Sequence, residues 1–278
     1  MSFEANEISN QDGNVISLYE FMWGGTYWRY TSSDQDIELD QGSGLVTYTA
    51  IAISDDGMVQ GGSANNDLKV SIQNDVPLVD LFRSTPPAQS IYLTIRRRHQ
   101  SDANTSFFVY WIGVISNVKK AGVATADVLG QTLLSTFRRS GLRLCWTRGC
   151  PHMLYDTECK VDPAAHAVAA SITALGAGTI TVSTAGGNPI GHFDGGYIEW
   201  TATVEGTLDQ RSIESSLTAT QFQIFGGTDR LTIGQSVTLY PGCDLTAETC
   251  DGKFANLPNF GGFEQMSGDN PFDGKNVF

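Results

Sequence analysis

Apolar and polar residues alternate with a period of two along most of the chain, the signature of strands with one covered face. Ile37 and Leu39 alternate with Asp36, Glu38 and Asp40, which sets an apolar face against an acidic one. Leu68, Val70 and Ile72 alternate with Lys69 and Ser71, and Ile91, Leu93 and Ile95 with Tyr92 and Thr94. Stretches 45–53 and 107–118 read as longer strands buried on both faces at their centres. A short helix is expected over 77–83, before the Pro86-Pro87 break. Stretch 125–140 carries a helical ladder (Leu129, Leu133, Phe137) interrupted by Gly130; we expect a strand near 123–130 and helical turns after it.

A second strand-rich block follows. Ile180 and Val182, then Ile198, Trp200, Ala202 and Val204, then Phe222 and Ile224, then Val237 and Leu239 alternate with polar residues. Glycine turns at Gly176/Gly178, Gly186-Gly187, Gly195-Gly196 and Gly226-Gly227 separate them, the pattern of a small antiparallel sandwich or barrel. Residues 256–278, rich in Gly, Asn, Pro and Phe, have no period and are expected to wrap over a surface. The divisions read as a β domain over 1–140, a connector over 141–162, a second β domain over 163–240 and a terminal segment over 241–278.

Composition sharpens this picture. The 278 residues suffice for about two domains, and 30 glycines favour turns and short strands. The net charge of −13 excludes a general nucleic-acid binder, which needs clustered Lys and Arg. Charge is unevenly spread: residues 96–160 hold ten Lys/Arg against four acids, the remainder seven against twenty-six. Such polarity suits a part that packs against copies of itself or against neighbours. Arg96-Arg97-Arg98 reads as a solvated strand end that could meet the acidic surface of an adjacent chain. Trp23, Trp28, Trp146 and Trp200 read as core or interface anchors.

The acidic start of the chain lacks the basic and apolar regions of a signal peptide. The longest apolar run, 107–115, is too short for a membrane helix. We therefore expect a protein that folds in the cytoplasm without stable membrane insertion. No G-x-S-x-G or H-E-x-x-H motif occurs, and His99, His152, His166 and His192 are scattered, so no enzyme is expected. Gly268 to Gly274-Lys275 misses the phosphate-loop spacing, and Leu39 stands where a calcium loop around Asp34–Asp40 needs glycine.

The cysteines carry the specific signal. In a reducing compartment clustered cysteines more often mark metal or catalysis than disulfides. Cys150 and Cys159 enclose eight residues, Cys243 and Cys250 enclose six, and the pairs lie eighty-three residues apart. Two local pairs joined by one metal would form a staple; four small buried hydrophobes are the plain alternative. Gly149 and Gly242 precede Cys150 and Cys243, which would let the backbone approach a ligand. Spacing alone does not choose between zinc and an iron–sulfur cluster.

The stretch from Arg148-Gly149-Cys150-Pro151-His152 through Asp156 and Cys159 to Asp162 resembles a known family, as do Tyr240-Pro241-Gly242-Cys243, Cys250, Phe254, Asn256 and Asn259-Phe260-Gly261-Gly262-Phe263. The family is that of the tail-tip or baseplate hub proteins of long-tailed phages and gene transfer agents, similar to the iron–sulfur tail-tip protein of lambda-like phages. Tyr30-Thr31-Ser32-Ser33-Asp34, Leu81-Phe82 and Trp111-Ile112-Gly113-Val114-Ile115 extend the resemblance over nearly the whole chain. It implies a mainly β fold: two small antiparallel β-barrel or sandwich hub domains linked by a four-cysteine metal-cluster segment, with few short helices. It implies that Cys150, Cys159, Cys243 and Cys250 hold a [4Fe–4S] cluster as a structural staple, with zinc as the fallback. Cys145 falls outside the pattern and reads as a packing residue, His152 as an orienting or packed one. Asp156 stands where the family more often has glycine. The implied role is a virion structural protein made in the host cytoplasm and placed at the tail tip or baseplate. Its implied partners are two further copies in a trimer, the distal tail ring, the central fibre or receptor-binding proteins, and the tape-measure protein. A β-sandwich cell-surface or sugar-binding module with zinc or disulfides is the rival reading.

Overall fold

A computed structural model of the chain describes residues 14–42, 44–57, 67–83, 85–100, 107–132, 146–202 and 206–266. They form two compact units, one drawn from residues 1–139 and 201–209, the other from 140–200 and 210–278. Among the described residues no helix is long and apolar enough to cross a membrane.

The first unit is built on a nine-stranded sheet. Its strands are β1 (Val15–Trp23), β2 (Thr26–Thr31), β3 (Ile37–Asp40), β4 (Leu45–Ala50), β5 (Ile53–Asp55), β6 (Leu68–Gln73), β7 (Tyr92–His99), β8 (Phe108–Lys120) and β9 (Thr125–Thr132). They lie in the order β3-β4-β2-β1-β7-β8-β9-β6-β5. The family resemblance implies a small barrel or sandwich here; the described strands form this sheet instead. The expected single strand over 45–53 is divided, because β4 pairs with β2 and β3 whereas Ile53–Asp55 pairs with β6. The chain changes partner at Ile51-Ala52. The short helix α1 (Pro77–Asp80) forms where proline opens it. The helical turns expected after residue 132 lie outside the described residues.

Central strand β1 is covered on both faces. Tyr19, Phe21 and Trp23 enter the core with Val70, Ile72, Leu93, Ile95 and Trp111. On the other face stands Glu20, which takes hydrogen bonds from Arg29 (2.7 Å), Gln41 (3.0 Å), Tyr48 (3.3 Å) and Arg96 (3.3 Å). The basic run is thus no solvated strand end. Leu18 pairs with Arg96 and Ser17 with Arg97, so alternation sends the two guanidinium groups to opposite faces. Arg96 meets Glu20, while Arg97 binds Asp55 and lies 3.6 Å over the Tyr110 ring. These charges are used within the chain.

The second unit contains a closed six-stranded barrel, as its alternation foretells. Strands β10 (Val168–Leu175), β11 (Thr179–Val182), β12 (Tyr197–Thr201), β13 (Leu208–Ser216), β14 (Gln221–Ile224) and β15 (Ser236–Tyr240) follow the order β10-β11-β14-β13-β12-β15. Ile172, Ile180, Val182, Ile198, Trp200, Ile213, Phe222, Ile224, Val237 and Leu239 fill it. Helix α2 (Pro163–His166) leads into β10, and its cap Asp162 accepts from Ala164 N at 2.9 Å. Helix α3 (Ala247–Phe254) and a 3-10 turn (Leu257–Asn259) follow β15. The segments that carry the cysteines therefore precede β10 and follow β15, neighbours in the sheet.

Candidate metal centre

Loop 146–162 carries the first cysteine pair. It has little regular structure, and side chains shape it. The Asp156 carboxylate accepts from the backbone N–H groups of Met153 (3.0 Å), Glu158 (2.9 Å) and Cys159 (2.6 Å). Burial opposes its ionisation, yet these three donors outweigh burial and hold the carboxyl below its usual range. The position where the resembled family more often has glycine thus builds the turn by its side chain. The left-handed residues fall beside it, at Tyr155 (φ 69°) and Lys160 (φ 62°). Tyr155 is fixed by a 2.9 Å hydrogen bond from its hydroxyl to the Pro241 carbonyl.

The second pair comes from the segment after β15. Thr246 caps α3 by accepting from Thr249 N at 3.2 Å, and one turn later the helix buries Cys250. Before it, the Gly242 Cα faces the backbone of Asp194, Gly195 and Gly196, so that a Cβ there would overlap main-chain atoms. Gly242 is required for a close approach of two loops, not for an approach to a ligand. Lys253 locks the same place, donating to the carbonyls of Gly242 (2.6 Å) and His192.

The fold brings Cys150, Cys159, Cys243 and Cys250 onto one small cavity, with Leu154, Val161, Leu245 and Phe254 among its walls. Cys159 and Cys250 are buried, Cys150 and Cys243 half-buried, and all four are free thiols. Three N–H groups approach sulfur: Gly261 to Cys150 at 3.5 Å, Leu245 to Cys243 at 3.4 Å and the Asn256 amide to Cys159 at 3.8 Å. His152 also lines the cavity and packs against Gly261. Cys145 lies outside the described residues.

Burial pushes the Cys243 and Cys250 thiols up, and the other cysteines add to the shift, with Asp244 beside Cys243 and Asp251 beside Cys250. Four converging thiols without a carboxylate in the cavity wall form a soft donor set, suited to a thiophilic metal or an iron–sulfur cluster and unsuited to calcium or magnesium. Among the described residues no group of three or more His, Cys, Asp or Glu side chains stands in the arrangement of a single-ion site.

What spacing did not reveal is Asn256. It follows Ala255, the left-handed cap of α3, and its amide reaches the Cys159 carbonyl at 2.5 Å. The sequence singles it out only as one of the residues that carry the family resemblance.

Comparison with solved structures defines the class of fold first. The chain is similar to one in the "Virion of native gene transfer agent (GTA) particle", with a TM-score of 0.76 and 16% identity, over 96% of this chain and 93% of that one. The two share one architecture across nearly their whole lengths. More particularly, residues 191–270 match the family described as "Phage conserved hypothetical protein BR0599". That segment includes Cys243, Cys250, Asn256 and the Asn259–Phe263 run. No curated protein sequence matches the chain.

Proposed function

We propose that the protein is a structural component of a phage-type virion, the hub of a tail tip or baseplate, whose four cysteines hold a [4Fe–4S] cluster as a staple. The observation that carries this reading is the convergence of Cys150, Cys159, Cys243 and Cys250 on one cavity. The phage-conserved segment holding the second pair and the likeness to a virion chain support it. When bound, the cluster supplies four metal–thiolate bonds between two distant stretches of chain. Metal-site formation contributes on the order of 10 kcal/mol to folding in small domains. The residues do the rest: Asp156 shapes one loop, Lys253 anchors the other, and backbone N–H groups are aimed at sulfur.

In this reading three copies form a ring below the distal tail ring, carry the central fibre or receptor-binding proteins and adjoin the tape-measure protein. The protein performs no catalysis there. Anaerobic purification with iron and sulfide analysis tests the centre, and about four of each per chain are expected. One zinc per chain without sulfide replaces the cluster by a zinc staple. Cys159→Ser or Cys243→Ser should lower metal content, whereas Cys145→Ser should not. Reconstruction of the virion tests the placement: three copies at the tip are expected, and six or none overturns the hub role.

A further inference from the structure

We infer that Asn256 is the positioning residue of the cysteine centre, latching the two cysteine pairs together before any metal arrives. Its backbone N–H donates to the Cys250 carbonyl at 3.0 Å, which fixes it to the end of α3. Its side-chain amide crosses to the first pair, donating to the Cys159 carbonyl at 2.5 Å and approaching the Cys159 sulfur at 3.8 Å. One residue therefore holds a member of each pair.

Its orientation is enforced. Asn259 Nδ2 donates to Asn256 Oδ1 at 2.6 Å, so the oxygen is occupied and the NH₂ end must face Cys159. Asn259 N in turn donates to the Asn256 carbonyl at 3.0 Å, closing the 3-10 turn that sets this geometry. Cys159 is the buried member of its pair, and its loop has no helix or strand to place it. A donor reaching both the carbonyl and the sulfur of one residue defines where that thiol points. The other buried thiol, Cys250, receives its position from α3 itself. Preorganised donors lower the ordering cost of binding.

The inference rests on the proposed metal-binding reading only for its iron arm; the latch itself belongs to the metal-free protein. The test uses the full chain, prepared anaerobically with chelator, and follows iodoacetamide labelling of each cysteine by peptide mass spectrometry. Asn256→Ala should speed labelling of Cys159 about fivefold relative to Cys150, the factor that one lost hydrogen bond corresponds to. Asn256→Leu, which keeps the size but loses the donor without adding a charge beside the sulfur, should do the same. Asn259→Ala, which frees the amide to turn, should fall between these variants and the parent. Reconstituted Asn256→Ala should lose iron to chelator faster than the parent. An unchanged Cys159 rate, or equal acceleration at Cys150 and Cys159, overturns the latch. Iron and sulfide missing from the parent would instead overturn the cluster, leaving the labelling result to stand alone.

Discussion

The backbone N–H of Cys150 donates to the carbonyl oxygen of Leu245 across 2.9 Å. A residue just beyond Cys243 thus sets the main chain of the first cysteine pair, and Leu245 holds a left-handed conformation (φ 64°) to do so. Together with the Tyr155 bond to Pro241 and the Asn256 latch, this gives three links between stretches remote in sequence. The four cysteines are drawn together by hydrogen bonds whose acceptors are main-chain carbonyls.

The helix that presents Cys250 depends on its N-terminal cap. Thr246 accepts from Thr249 N at 3.2 Å and is itself held by Asp244, whose carboxylate accepts from the Thr246 N–H and hydroxyl. Thr246→Ala should cost about 1 kcal/mol. A thermal melt of the full chain should show a midpoint lower by roughly 2–4 °C.

Ala255 ends the same helix with φ 49°, a conformation that glycine adopts without steric cost. Relief of about 1–2 kcal/mol outweighs the extra freedom glycine gives the unfolded chain. Ala255→Gly should therefore stabilise by about 0.5–1 kcal/mol in denaturant titrations. A loss of stability would show that the alanine methyl makes contacts worth more than the strain.

Gly261 and Gly262 should respond differently to alanine. A Cβ on Gly262 would lie 2.5 Å from the Arg148 carbonyl oxygen and 2.8 Å from the Gly149 carbonyl carbon, both main chain. A Cβ on Gly261 would instead meet the His152 imidazole, which can swing aside. Gly262→Ala should cost about 1–3 kcal/mol and displace the Gly261 N–H from Cys150. Gly261→Ala should cost less, and denaturant midpoints of the two variants decide the order.

Acid should unfold the first unit through Asp55. Burial opposes its ionisation, but hydrogen bonds from Arg97 and Tyr19 outweigh burial and hold the folded carboxyl below its ordinary range. A lowered folded value contributes stability that is complete above the unfolded value and lost as pH falls through the folded one. The loss should therefore appear below about pH 4. Asp55→Asn should flatten that acid limb. At neutral pH it should cost about 3 kcal/mol, because Arg97, only 19% exposed, is left without its anion. Equal pH profiles for parent and variant would assign the acid transition to other groups.

Local pattern determined a good deal about this protein. Alternation at Ile180–Val182, Ile198–Trp200, Phe222–Ile224 and Val237–Leu239 specified the strands of the barrel, because a period of two leaves one way to bury one face. Cysteine spacing marked two local pairs as candidates for one centre. Strand partners were not legible: stretch 45–53 keeps one apolar pattern, yet long-range pairing divides it between β2 and β6. Nor was the fate of the arginine run, since adjacent residues of a strand face opposite sides and only the fold places Glu20 on one and Asp55 on the other. Asn256 gained its role the same way, through Cys159, whereas Asp156 acts on N–H groups within its own loop. A hydrogen-bonding side chain acquires its meaning from the partner the tertiary structure brings to it, and that partner leaves no local trace in the sequence.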